Sequence, residues 1–236
     1  MKNPETAGSP TASPDAVRQR AAVSSSAAHP VGNSDVGKSN DDNRNVEAAC
    51  RRLQDELSGD VLLDQASLGR YATDASIYQQ LPFAVVFPRT QIDIETVLEI
   101  ARSHHVPVLS RGGGTSQNGQ TVNRAIVMDY SRYFNKLIDL DIDARRVRVQ
   151  PGMVLDSLNR QLREHGLWFP VDVSTASRAT IGGMAGNNSC GQRSIVYGTM
   201  RDNVQSMRVL TADGVVHDCG EVNSCLLYTS PSPRDS

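Results

Sequence analysis

The sequence predicts an α+β domain built from two small sheets with flanking helices, and three observations carry that reading. Residues 84–87 form a short apolar run closed by Pro88. After it, Ile94, Val97, Leu98 and Ala101 share one helical face and 106–109 form a second apolar run, so the order is strand, helix, strand. Residues 137–140 and 146–150 read as a strand pair turning at 141–144. Residues 207–211 and 215–218 flank Asp213-Gly214, a short hairpin signal. Strands and helices do not alternate regularly enough for a doubly wound parallel sheet.

Taken in order, residues 1–45 are expected to be a disordered leader. Ser, Ala, Pro, Asn, Asp and Gly dominate there, and no aromatic residue occurs before Tyr71, so too little apolar surface is available to offset the entropy of ordering. No continuous apolar stretch follows Met1, which argues against a signal peptide. Within 46–70, an N-terminal helical segment, Val46, Ala49, Cys50, Leu53 and Leu57 fall on one face and Ser58-Gly59 ends the helix. The main domain is expected over 71–224. In it Thr90 is placed to cap the 91–101 helix, and Pro107 marks a strand start or an edge. Val154, Leu155, Leu158 and Leu162 form a further amphipathic helix stopped by Gly166. Residues 225–236 look like the translation of a sequencing-library adapter. They are set aside as a non-native tail, with the natural frame expected to end near Ser224 and a substrate domain missing beyond it.

Composition excludes several functions. A formal charge of -2 gives no electrostatic reason to expect nucleic acid, and no stretch is apolar enough for a transmembrane segment. The cysteines Cys50, Cys190, Cys219 and Cys225 form no C-x-x-C pair, so neither a zinc nor an iron–sulfur site is expected here, and no metal ligand is assigned. They read as buried or incidental thiols. His104, His105 and His165 stand at helix ends, an ordinary place for surface histidines. Trp168 and Phe169 are expected in the core, and Arg178 and Arg193 as solvated loop residues.

Two loops carry the chemistry. The first comprises Arg111, Gly112, Gly113, Gly114, Thr115, Ser116, Gln117, Asn118, Gly119 and Gln120, directly after a strand. Consecutive glycines let backbone N–H groups line one concavity, and the hydroxyls add donors, an arrangement suited to pyrophosphate. The loop lacks the Gly-Lys-Ser/Thr ending of a P-loop. Gln117 stands where a dinucleotide fingerprint needs its third glycine, which disfavours a nicotinamide-dependent Rossmann enzyme. The second loop, 174–191, places Ser174, Thr175 and Thr180 ahead of Gly182, Gly183 and Gly186, followed by Asn187, Asn188 and Ser189. Its glycines leave room for something flat or phosphorylated against the backbone.

On these loops, together with 71–78 and 84–90, the chain resembles the FAD-binding domain of vanillyl-alcohol-oxidase-type flavoproteins, the PCMH-type fold, over roughly 71–220. Within that group it is most similar to the D-lactate dehydrogenase/glycolate oxidase branch, and the stretches 71–78 and 179–191 resemble its members with a fused iron–sulfur half. The resemblance implies that the first loop cradles the FAD pyrophosphate. It implies that Pro170, Asp172, Ser174 and Thr175 lie near the flavin ring and ribityl chain. Thr180, Gly182, Gly183, Asn187 and Ser189 would line the second wall, with 202–204 and 215–216 toward the adenine end. Covalent members carry a histidine after the loop glycines where this chain has Thr115, so bound but dissociable FAD is implied.

The implied function is oxidation of a small D-2-hydroxy acid, such as D-lactate, glycolate or D-2-hydroxyglutarate, with electrons passing to a downstream acceptor. An iron–sulfur cluster is implied only in a missing C-terminal part. The catalytic base and the groups holding the substrate carboxylate would come mainly from the domain beyond, so this portion alone is expected to bind FAD poorly or not at all and not to turn over. The expected location is the cytoplasm, with peripheral membrane attachment of the intact protein left open. Alternatives are an FAD-linked oxidase of another alcohol or sugar, a non-catalytic flavin carrier, and an inert flavin-binding fragment.

Overall fold

The computed structural model describes residues 34–220, so most of the expected leader and all of the expected tail lie outside the described residues. Helix α1 spans Ser34–Glu56 and starts inside the stretch expected to be leader. Its packing begins only where the apolar face begins. Residues 42–45 are exposed, while Ala49 and Leu53 are buried against the sheet.

The main sheet has strand order β1-β2-β4-β3. β1 (Asp60–Leu62) runs antiparallel to β2 (Ala84–Phe87), whereas β2, β4 (Ile126–Asp129) and β3 (Val108–Arg111) are mutually parallel. The segment 46–70 is therefore not only helical. Its β1 completes the sheet edge, and α2 (Gln65–Tyr71), capped by Asp64, lies on one face. A three-residue strand is too short to show a period, which is why the sequence does not announce it. Every residue of β2 and β4 is buried, as expected for parallel strands covered on both faces. On one side α1 and α3 (Gln91–Ser103) enclose Leu53, Val86, Val97, Ile100, Ile126 and Met128, and on the other Leu68 packs with Val85, Phe87 and Val127.

β3 begins two residues later than the apolar run 106–109 suggests. Pro107 has no N–H to give a ladder. Its carbonyl instead accepts from Ile126 N at 2.8 Å, and regular pairing starts at Val108. The strand consequently ends on Arg111, and the Gly-rich loop leaves directly from the sheet edge.

The second half holds two antiparallel ribbons. β5 (Leu137–Asp141) pairs with β6 (Arg146–Val149), and their apolar side chains pack on Met153, Leu158 and Leu162 around α4 (Leu155–Arg163). Gly166, at φ +70, ends α4 in the left-handed conformation glycine favours. Three short helices follow: α5 (Ile181–Gly186), α6 (Ser194–Tyr197) and α7 (Met200–Asn203). They surround a smaller cluster of Leu155, Val171, Ala179, Met184 and Met200. β7 (Met207–Leu210) and β8 (Val216–Cys219) form the hairpin, with Gly214 at φ +82 in its turn. Arg102 of α3 donates to Asp213 O at 2.6 Å and ties that turn to the main sheet.

Phe169 packs between two clusters as expected, but Trp168 does not. It remains 43% exposed, edge-on to Tyr197 and beneath the Arg193 guanidinium. Neighbours in an extended segment point to opposite sides, so burying Phe169 turns Trp168 outward. Cys190 and Cys219 are likewise exposed, and among the described residues only Cys50 is partly buried, its thiol facing Phe83 O at 3.8 Å.

Candidate functional site

The two Gly-rich loops meet. A Cβ on Gly112 would lie 2.1 Å from Thr180 Oγ1, and one on Gly113 would lie 2.3 Å from Arg178 O. Gln120 Nε2 donates to Asn187 Oδ1 at 3.1 Å, so the far ends of the loops are joined as well. Two of the three consecutive glycines thus serve the approach of one loop to the other. Gly114, at φ +64, and Gly119, at φ +76, serve the backbone path itself.

That path leaves a row of donors. Among the described residues, no backbone N–H of residues 113–120 finds a hydrogen-bond acceptor. Buried amides are almost always paired, and a run of unpaired amides at a partly open surface is a place for an anion to dock. Thr115 and Ser116 are half-buried in this stretch, with hydroxyls available to the same ligand. The residues present therefore fit a diphosphate group held by main-chain amides.

The second loop behaves differently. Residues 181–186 fold into α5 instead of an open turn, and the helix start is fully engaged. Ile181 N donates to Met153 O and Gly182 N to Pro151 O, each at 2.8 Å, while Gly183 N donates to Thr180 Oγ1 at 3.3 Å. Gly182 is glycine because a Cβ would lie 2.6 Å from Pro151 Cβ. This helix start offers its dipole but no spare donors, so the second wall contributes shape and the first loop contributes hydrogen bonds.

The remaining candidates sit around the second loop's far end. Asp172 Oδ1 accepts from Arg193 N at 3.0 Å, its other oxygen lies 3.6 Å from Arg193 Nε, and a Cβ on Gly191 would strike it at 2.2 Å. Thr175 O accepts from Arg178 N and Ala179 N, each at 2.8 Å, which makes the turn leading to Thr180. Ser189 holds α7 through its carbonyl, which accepts from Met200 N at 3.0 Å. Ser174 is exposed, and Pro170 follows Phe169 half-buried. The structure thus joins 111–120 with 178–187, and ties Asp172 to 191–193.

The sequence gives little notice of a cleft of about 470 Å³ beside the loop base. It opens where β2, β3 and β4 end, at Phe87, Arg111 and Asp129, and its lining includes Arg70, Tyr71, Gly112, Gly113, Arg132 and Arg178. Open sheets bind ligands at the carboxyl ends of parallel strands, and that rule is the one signal that points here. Tyr71 OH donates to Asp129 Oδ2 at 2.7 Å. Burial, then the Asp129 carboxylate, push the phenol's pKa well up.

Comparison with known proteins identifies the family and the fold. Residues 82–220 match the family model described as FAD binding domain. The chain is 41% identical over 171 residues to the D-2-hydroxyglutarate dehydrogenase of Haemophilus influenzae, covering 71% of this chain and 17% of that protein. It is 34% identical over 164 residues to a glycolate oxidase subunit of Bacillus subtilis, covering 67% and 35% respectively. The chain therefore spans about a sixth of the dehydrogenase and a third of the oxidase subunit. Among solved structures, an alkyldihydroxyacetonephosphate synthase superposes with a TM-score of 0.67 over 77% of this chain and 40% of that one, a likeness of fold at 22% identity. The chain belongs to the FAD binding domain family.

Proposed function

We propose that this chain is the FAD-binding portion of a flavin-dependent oxidoreductase that oxidises a D-2-hydroxy acid. The observation that carries the proposal is the row of unpaired amides over 113–120, standing in a chain of this family. Bound FAD supplies the electron sink for oxidation at the hydroxy acid's α-carbon. The amides and the Thr115 and Ser116 hydroxyls hold the diphosphate. Thr180 fixes the second wall, and the Gln120–Asn187 bond keeps the walls together. Similarity to a D-2-hydroxyglutarate dehydrogenase and a glycolate oxidase subunit supports the substrate class. Thr115 cannot form a histidyl–flavin bond, so the cofactor is held without a covalent link. Electrons pass on to a downstream acceptor, and the cytoplasm is the proposed location. Among the described residues no helix is long and apolar enough to cross a membrane.

The test begins by recovering whatever coding sequence follows Ser224 and purifying its product. Acid denaturation is expected to release all yellow colour into the supernatant, and D-lactate or D-2-hydroxyglutarate is expected to bleach the native protein. Flavin retained on the precipitate would overturn the non-covalent reading. A flavin spectrum that no 2-hydroxy acid bleaches would remove the substrate class. Failure to bind added FAD would remove the reading altogether.

A further inference from the structure

Arg111 opens the Gly-rich loop, and its guanidinium is engaged by backbone carbonyls. The residue is only 8% exposed. Nη1 donates to Tyr71 O at 3.1 Å and to Thr121 O at 2.8 Å, and Nη2 donates to Thr73 O at 2.7 Å. The Tyr71 ring lies beneath it, 5.0 Å from Cζ to centroid, and burial lowers the guanidinium's pKa. Three further facts fix what this arrangement does. Thr121 stands immediately after the loop, so the first residue's side chain grips the carbonyl that follows the last and closes the loop from inside. A Cβ on Gly114 would lie 2.6 Å from Arg111 Nη2, so the loop's third glycine rests on the guanidinium. The grip extends to 71–74, because Thr121 Oγ1 also donates to Asp74 Oδ2 at 2.7 Å.

We infer that Arg111 is a positioning residue that shapes the amide row for its diphosphate ligand and does not itself touch the phosphates. The inference rests on the FAD reading above. A rigid fork can serve three carbonyls in fixed directions at once, whereas a lysine ammonium offers a compact point charge on a flexible stem. Charge alone is therefore not the requirement. Removing the fork takes the donor from the carbonyls of Tyr71, Thr73 and Thr121 and lets the two ends of the loop part.

The test uses the complete gene product, titrated with FAD, ADP and riboflavin at several ionic strengths, for wild type, Arg111→Lys, Arg111→Met and Gly114→Ala. ADP carries the diphosphate without the flavin, and riboflavin the flavin without the diphosphate. Arg111→Met is expected to weaken FAD and ADP about tenfold, as loss of a charged hydrogen-bond hub would, and riboflavin less than about twofold. Arg111→Lys is expected to fall between wild type and Met. The dependence of ADP affinity on salt should stay parallel to wild type in all variants, since no phosphate-contacting charge is lost. Gly114→Ala retains the arginine and should reproduce the same pattern, which keeps the test alive if the Met variant fails to fold. A flattened salt dependence in Arg111→Met, or full rescue by lysine, would show direct phosphate contact and overturn the inference. Equal losses for ADP and riboflavin would reduce the role to general stability. If wild type binds neither FAD nor ADP, the FAD reading falls and the inference with it.

Discussion

At the residue scale, the glycines of this chain have two separate reasons to be glycine. Gly112 has no room for a side chain, because its Cβ would displace Thr180 Oγ1, which is 2% exposed and caps α5. Gly186, at the end of the same helix, has nothing within 4 Å of its Cβ position. Gly112→Ala is expected to destabilise the protein by about 1–3 kcal/mol, through overpacking and loss of the cap. Gly186→Ala is expected to be neutral or stabilising by up to about 1 kcal/mol. Chemical denaturation of the two variants beside wild type checks the contrast, and similar losses in both would refute it. This distinction marks a limit of sequence reading. Three consecutive glycines signal a backbone in close contact with something, but the sequence cannot say that for Gly112 that something is Thr180 and for Gly113 it is Arg178. Nor does the sequence show that the Arg111 side chain turns inward, because its three partners are backbone carbonyls.

At the scale of elements, α3 shows how much local chemistry survives into the fold. The cap at Thr90 was legible, and the structure completes it as a capping box with Asp93. What the sequence concealed is that Asp93 reaches beyond its own helix. Its carboxylate, 4% exposed, accepts from Ser58 N and Oγ, Arg89 N and Thr90 N, which locks the end of α1 to the start of α3. Burial alone would raise its pKa, but those hydrogen bonds outweigh it and hold the carboxyl below its usual value. A depressed folded pKa contributes stability that is complete above the unfolded value and is lost as pH falls through the folded value. Asp93→Asn is therefore expected to cost about 1.5–3 kcal/mol at neutral pH. The variant should also lose less stability than wild type on acidification below the usual carboxylate range. Urea titrations at neutral and acidic pH read both effects, and parallel acid losses would contradict the assignment. By contrast β1, α2 and α5 to α7 were illegible, because elements of three to seven residues show too few turns for a period, and Gly182 and Gly183 argue against helix on propensity alone.

At the scale of the whole molecule, the fully buried strands β2 and β4 form the rigid centre, and both Gly-rich loops are carried at its margin. The hairpin β7–β8 is largely exposed, with Leu210 reaching the main core and Arg102 holding Asp213 O. A ribbon with so few buried contacts belongs to the low-stability end of the fold. Arg102→Met is expected to speed amide exchange in 207–219 while leaving the global unfolding midpoint within about 0.5 kcal/mol of wild type. Hydrogen exchange read by mass spectrometry, set beside a denaturation curve, tests this. A large drop in the midpoint would mean that the hairpin folds as one unit with the sheet. The α+β class was readable because it depends on continuous apolar runs such as Ala84–Phe87 and on the amphipathic faces of α3 and α4. The meeting of the two loops was not, since it depends on contacts between residues far apart in the chain.

The inward grip of Arg111 also bears on time. A loop whose ends are fastened from inside has its conformational entropy settled once, during folding, and not at every encounter with a ligand. On the inference drawn for Arg111, capture is expected to need no prior ordering step and to proceed at a rate set by diffusion and orientation. Relatives that keep the grip but differ in the surrounding walls should differ mainly in how long they retain what they have caught.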